Sequence, residues 1–132
     1  MTVDRGENRC HGSCPLVGGS SFRDLEAYRH AVALGDAVHA EVLRWDSFER
    51  WSTGLQLVRS VDSVGANIAE AVGRWHEADK RRILFIARGS LYETEHWLTT
   101  AAKRELLEGS YSSQVNEIAR ALNGLIRRPI PR

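Results

Sequence analysis

Between Phe22 and Arg127 the apolar residues fall at steps of three and four, in four blocks separated by short polar or glycine-bearing breaks. That is the helical period, because 3.6 residues per turn bring i, i+3, i+4 and i+7 to one face. No stretch alternates with period two for long enough to make a strand, and no internal repeat is visible. Four amphipathic helices joined by short connections hide their stripes against antiparallel neighbours. The expected architecture is therefore all-α, an up-down-up-down four-helix bundle. With 132 residues, 42% of them apolar and 27% charged, the chain has the size and mixture of one globular domain.

The first helix is expected over 22–44, with Ser21 as its cap. Its stripe is Leu25, Tyr28, Val32, His39 and Val42, widened by Ala31, Leu34 and Val38. A connection follows over 45–51. The second helix, 52–72, carries Leu57, Val61, Val64, Ile68 and Ala71 at 4-3-4-3 spacing, and Gly73 sits where a left-handed C-terminal residue belongs. The third spans 77–107, closed by Gly109, with acids near its start and Lys103 and Arg104 near its end, as the helix dipole favours. The fourth spans 110–127 with Val115, Ile118, Leu122 and Leu125, and Pro129 and Pro131 forbid its continuation. Residues 1–21, rich in Gly, Ser and charge without periodicity, read as a disordered leader; residues 129–132 form a tail.

No run reaches the roughly 18–20 apolar residues a membrane span needs, and the N-terminus has no apolar signal segment. A cytoplasmic protein without a membrane partner is the expectation. The formal net charge is +1, which gives no global electrostatic case for nucleic acid. The charge is uneven, however. Residues 1–73 hold 7 Lys/Arg and 10 Asp/Glu, whereas residues 74–132 hold 11 and 7. Cys10, His11 and Cys14 spell C-H-x-x-C, but zinc needs four ligands and no second pair follows, so they read as free thiols beside a histidine.

The third helix is apolar on two sides. Ile83, Ala87, Ser90, Leu91, Thr94, Trp97, Leu98 and Ala101 fill the sector expected to face the bundle. Phe85 and Tyr92, seven residues apart, lie on the opposite side. An isolated bundle leaves both rings in water, and exposed aromatics gathered at one place mark a partner surface. Phe85 and Tyr92 are therefore the expected contacts between copies of the chain.

Catalytic constellations are not evident. Neither glycine-rich phosphate loop is present, and H-E-x-x-H is missing. Glu93 and His96 make one Glu-x-x-His pair where a di-metal bundle needs two, so neither a metal nor another cofactor is expected. Glu70 can pair with Arg74 along the helix, and Arg88 is placed to reach Glu70 across the bundle. Arg74, Lys80, Arg81 and Arg82 cluster at the start of the third helix, and Arg127 and Arg128 close the fourth. The two clusters are expected at opposite ends of the bundle, so that only a ring of copies joins them into a belt for phosphate backbones.

Two stretches carry a family resemblance. Residues 63–74 read SVGANIAEAVGR and residues 85–93 read FIARGSLYE. With FRDL at 22–25 and LNGLI at 122–126, they resemble the 23S rRNA-intervening sequence proteins over nearly the whole folded part. The resemblance implies a ring-shaped homopentamer of four-helix bundles. It also implies a relation to the accessory variability determinant proteins of diversity-generating retroelements, which bind nucleic acid and a reverse transcriptase. Asn67, Glu70, Gly73 and Arg74 match the first motif, and Arg88, Gly89, Ser90 and Leu91 the second. The chain departs from the pattern at Val64-Gly65, where proline is common, at Ala71, where glycine is usual, and in its lower positive charge. The expected function is thus a non-enzymatic, self-assembling scaffold of unassigned biochemical role. Besides its own copies, its expected partner is RNA, DNA or a protein; the alternative is a nucleic-acid-binding accessory protein of the reverse-transcriptase helper type, using a basic belt on the oligomer.

Overall fold

A computed structural model describes residues 22–128. Ser21, Cys10, His11, Cys14, Pro129 and Pro131 lie outside the described residues. The chain opens with a 3-10 turn, Phe22–Asp24, and continues into α1 (Glu26–Val42). A short helix α2 (Ser47–Glu49) passes through a π-helical turn (Arg50–Gly54) into α3 (Leu55–Val72), followed by α4 (Glu77–Lys103) and α5 (Ser112–Arg127). Helix α3 lies between α1 and α4, and α5 closes the square against α4 and α1. The four expected helices are therefore α1, α3, α4 and α5, packed together with sequence neighbours adjacent.

The seam of α3 is the backbone of the core. Leu57, Val61, Val64, Ile68 and Ala71 are all completely buried, as their heptad-like spacing predicts. Each large side chain among them contributes roughly 1.5–3 kcal/mol by leaving water. One polar link crosses this interior: Thr94 of α4 lies 3.1 Å from the Ser60 hydroxyl, which donates to the Leu57 carbonyl at 2.9 Å. Both hydroxyls are buried and satisfied, so the link costs little and fixes the register of α3 against α4.

Helix α1 corrects the sequence reading. Its buried apolar side chains are Ala27, Ala31, Leu34, Val38 and Val42, whereas Val32 is 39% exposed and His39 lies in solvent. The true seam is rotated by about one residue, some 100°, from the stripe built on the larger side chains. The small alanines are what let α3 come close. At Gly35 a Cβ would lie 3.0 Å from an Asp62 carboxylate oxygen. Tyr28 and Val32 are left on the flank, where α1 borders α3.

The helix boundaries shift for local reasons. The first helix does not run unbroken from Phe22: Leu25 is extended, and the turn before it folds the Phe22 ring edge-on against Tyr28 at 5.0 Å. The expected loop over 45–51 is mostly helical, because the Asp46 carboxylate accepts from the Glu49 N–H at 3.1 Å and starts a helix at Ser47. The wider π turn then joins it to α3. Gly54 is required there, since a Cβ would sit 2.6 Å from Val42 Cγ1. Gly73 is right-handed, with φ −74°, rather than left-handed. The left-handed residue is Glu105, φ 60°. It follows the end of α4, with Leu106 N–H donating to the Ala101 carbonyl and Glu105 N–H to the Ala102 carbonyl, the paired bonds of a Schellman stop. That stop ends the third helix at Lys103, before the expected Leu107 and Gly109.

Candidate self-association face and the basic end of the bundle

Helix α4 divides as its pattern predicts. Ile83, Leu84, Ala87, Leu91, Thr94, Leu98 and Ala101 are buried, with Ser90 and Trp97 half-buried at the edges. On the far side Phe85 is 44% exposed, Tyr92 56% and the neighbouring Ile86 47%. Arg88 lies between the two rings, its guanidinium carbon 4.7 Å from the Phe85 centroid and 5.9 Å from that of Tyr92. Its Nη1 donates to the Asn123 side-chain oxygen of α5 at 3.3 Å. Cation–π contact holds the arginine over the aromatic surface. Gly89 has open space beyond its Cα: a methyl there would meet nothing within 4 Å. In a helix interior that glycine costs about 1 kcal/mol relative to alanine, and inside one chain no packing needs it.

The expected ion pair between Arg88 and Glu70 does not form. Glu70 is taken by Arg74, one helical turn along its own surface, at 2.5 Å, and Arg88 is drawn to the rings and Asn123 instead. The hydrogen bond to Glu70 and the charge of Asp79 hold the Arg74 guanidinium above its ordinary pKa. The other motif residues are internal ties. The Asn67 amide donates to the Ser63 carbonyl at 2.8 Å, and the Ser90 carbonyl accepts from Thr94 at 2.8 Å.

The two basic clusters lie at one end of the bundle, contrary to the sequence reading. Arg88 of α4 meets Asn123 of α5, while Leu98 shares a groove with Val115. As α4 advances, α5 therefore runs back, and Arg127 and Arg128 arrive beside the start of α4. Much of the charge there is already matched. Arg74 also approaches Asp79 at 3.5 Å, Arg82 pairs with Asp79 at 2.9 Å, and the buried Lys80 ammonium lies 3.6 Å from Glu77. Arg127 donates to the Asn123 carbonyl at 3.4 Å. Arg81 and Arg128 carry no carboxylate partner among the described residues.

Glu93 and His96 are exposed and both turn to Trp97: its indole N–H donates to Glu93 at 3.4 Å, and the His96 ring sits edge-on to it at 4.8 Å. No third His, Cys, Asp or Glu joins them among the described residues. The described helices include none long and apolar enough to cross a membrane.

Sequence reasoning missed the opposite end. Glu41 is buried on α1 and accepts from the Glu108 N–H at 2.9 Å and from the Tyr111 hydroxyl in a short hydrogen bond. Burial, then the Glu41 hydrogen bond and charge, push the Tyr111 pKa up to about 12. The signal was present: Ala27, Ala31, Leu34 and Val38 step by three and four onto position 41, where a carboxylate on the buried side demands donors.

The family model of 23S rRNA-intervening sequence proteins matches residues 23–127. The chain belongs to that family. The match covers every bundle helix, including the stretch of α4 that carries Phe85 to Tyr92. No curated protein is significantly similar to it.

Proposed function

We propose that the protein is a non-catalytic, self-assembling bundle, and that the outward face of α4 holds its copies together. One observation carries this reading: Phe85, Ile86 and Tyr92 lie half in water around an unfilled Gly89, on a helix whose other side already belongs to the core. Covering the exposed part of each ring is worth roughly 1 kcal/mol or more. A helix interior keeps a glycine at this cost where another backbone approaches it. Sedimentation velocity at micromolar concentration tests the reading. The wild type should sediment as an oligomer, and the Phe85→Asp, Tyr92→Asp double variant as a 14.8 kDa monomer of unchanged helicity. A monomeric wild type would refute it.

A second reading has its own support. The antiparallel run of α4 and α5 brings Arg127 and Arg128 to the end of the bundle that carries Arg81, and we read these cations as a basic patch that a nucleic-acid backbone could follow. In this reading RNA or DNA binding falls steeply with salt and weakens in Arg81→Ala, Arg82→Ala. Binding unchanged in that variant would remove the patch as the site.

A further inference from the structure

The α4 face has a counterpart on the same molecule. Between α1 and α3 runs a groove of about 330 Å³, floored by Gly65, Ala66 and Ala69 and walled by Tyr28 and Val32. Its floor is made of small residues, and its wall includes the exposed Val32 that the core does not use. A benzene-sized ring needs roughly 150 Å³, so the groove has room for an aromatic side chain. Phe22, Ala31 and Val61 also line it, as do Asp36 and Asp62. Neither has an ion-pair or hydrogen-bond partner among the described residues.

The face of α4 is complementary in shape and charge. Arg81, Phe85, Arg88 and Tyr92 follow one another at 4-3-4 spacing on a single stripe. Both rings protrude, and neither arginine meets a carboxylate among the described residues: Arg88 has only Asn123 and the ring faces, and Arg81 has nothing. One surface thus offers rings and unmatched cations; the other offers small side chains and unmatched anions. Asp36 and Asp62 stand together at one end of the groove, where a Cβ on Gly35 would lie 3.0 Å from an Asp62 carboxylate oxygen, so one arginine of the stripe can meet both while a ring one helical turn away lies over Gly65 and Ala66.

We infer that the groove between α1 and α3 receives the Arg81–Phe85–Arg88–Tyr92 stripe of a second copy's α4. The inference rests on the self-association reading above and adds which surface meets which. One chain cannot satisfy itself, because the stripe leans toward α5 through the Arg88–Asn123 bond and α1 lies diagonally across the bundle from α4. Two different patches make a head-to-tail contact, and such contacts close into rings or run on as filaments.

Mixing two variants tests the pairing. Ala66 and Tyr92 are both exposed, so Ala66→Arg blocks the groove and Tyr92→Asp spoils the stripe without touching the core. Light scattering should show wild-type oligomers, monomers for each variant alone, and dimers in an equimolar mixture at high concentration, since each variant keeps one sound surface. Ala66→Arg assembling like the wild type would overturn the groove assignment while leaving self-association in place. So would a mixture that stays monomeric. A monomeric wild type would sink both readings; if that monomer were also retained on single-stranded RNA and Tyr92→Asp were not, the stripe would belong to nucleic acid.

Discussion

Tyr111 shows how one side chain holds a connection in place. Its hydroxyl and the Glu108 N–H together satisfy the buried Glu41 carboxylate, tying the segment between α4 and α5 to the end of α1. Replacing it with phenylalanine leaves that carboxylate one donor short, which should cost about 1–3 kcal/mol in urea unfolding near neutral pH. The pH dependence has a definite sign. The folded pKa, about 12, lies above the ordinary value of 10.0, so the folded state favours the protonated hydroxyl. Its contribution is complete below about pH 10 and is lost as pH rises toward 12, because the unfolded chain gives up its proton first. The stability gap between wild type and Tyr111→Phe should therefore narrow over that window. A gap that stayed constant to pH 12 would contradict the assignment.

Among the helices, two glycines separate core packing from surface packing. Gly54→Ala drives a methyl against Val42 Cγ1, so it should destabilise the monomer by about 1–3 kcal/mol, read from the thermal midpoint. Gly89→Ala meets open space within the chain. In a Tyr92→Asp background it should stabilise the helix by about 1 kcal/mol. In the wild-type background the same methyl enters the interface between copies and should weaken assembly, measured as a raised dissociation concentration. If Gly89→Ala left assembly intact, the proposed close approach there would fall. The helices also show what the sequence could convey. The α3 seam was legible because its large side chains and its buried side coincide. The α1 seam was legible only in part: Ala31, Leu34, Val38 and Val42 were on the expected stripe and are buried, but the small Ala27 was missed, and the larger Tyr28 and Val32 lie on the flank. The stop after α4 was misplaced for a similar reason: a glutamate, rather than Gly109, takes the left-handed conformation.

At the scale of the whole molecule, the fold followed from four stripes and short breaks, and so did the exposure of Phe85 and Tyr92. Pairings between helices did not follow. Arg88 found rings and Asn123 in place of Glu70, because register between neighbours is set by packing that no single helix encodes. The basic clusters met at one end because antiparallel α4 and α5 put the start of one beside the end of the other, which the up-down order already required. The central claim is that the outward face of α4 is covered by other copies. Hydroxyl-radical footprinting of the intact protein tests it most directly by comparing two residues of one type. Phe48 is 75% exposed and Phe85 is 44% exposed in the single chain. The account predicts that Phe85 is oxidised far more slowly than that difference allows, and that dilution to dissociation restores its reactivity. Oxidation of Phe85 at a rate in keeping with its exposure in one chain, unchanged by dilution, would contradict it.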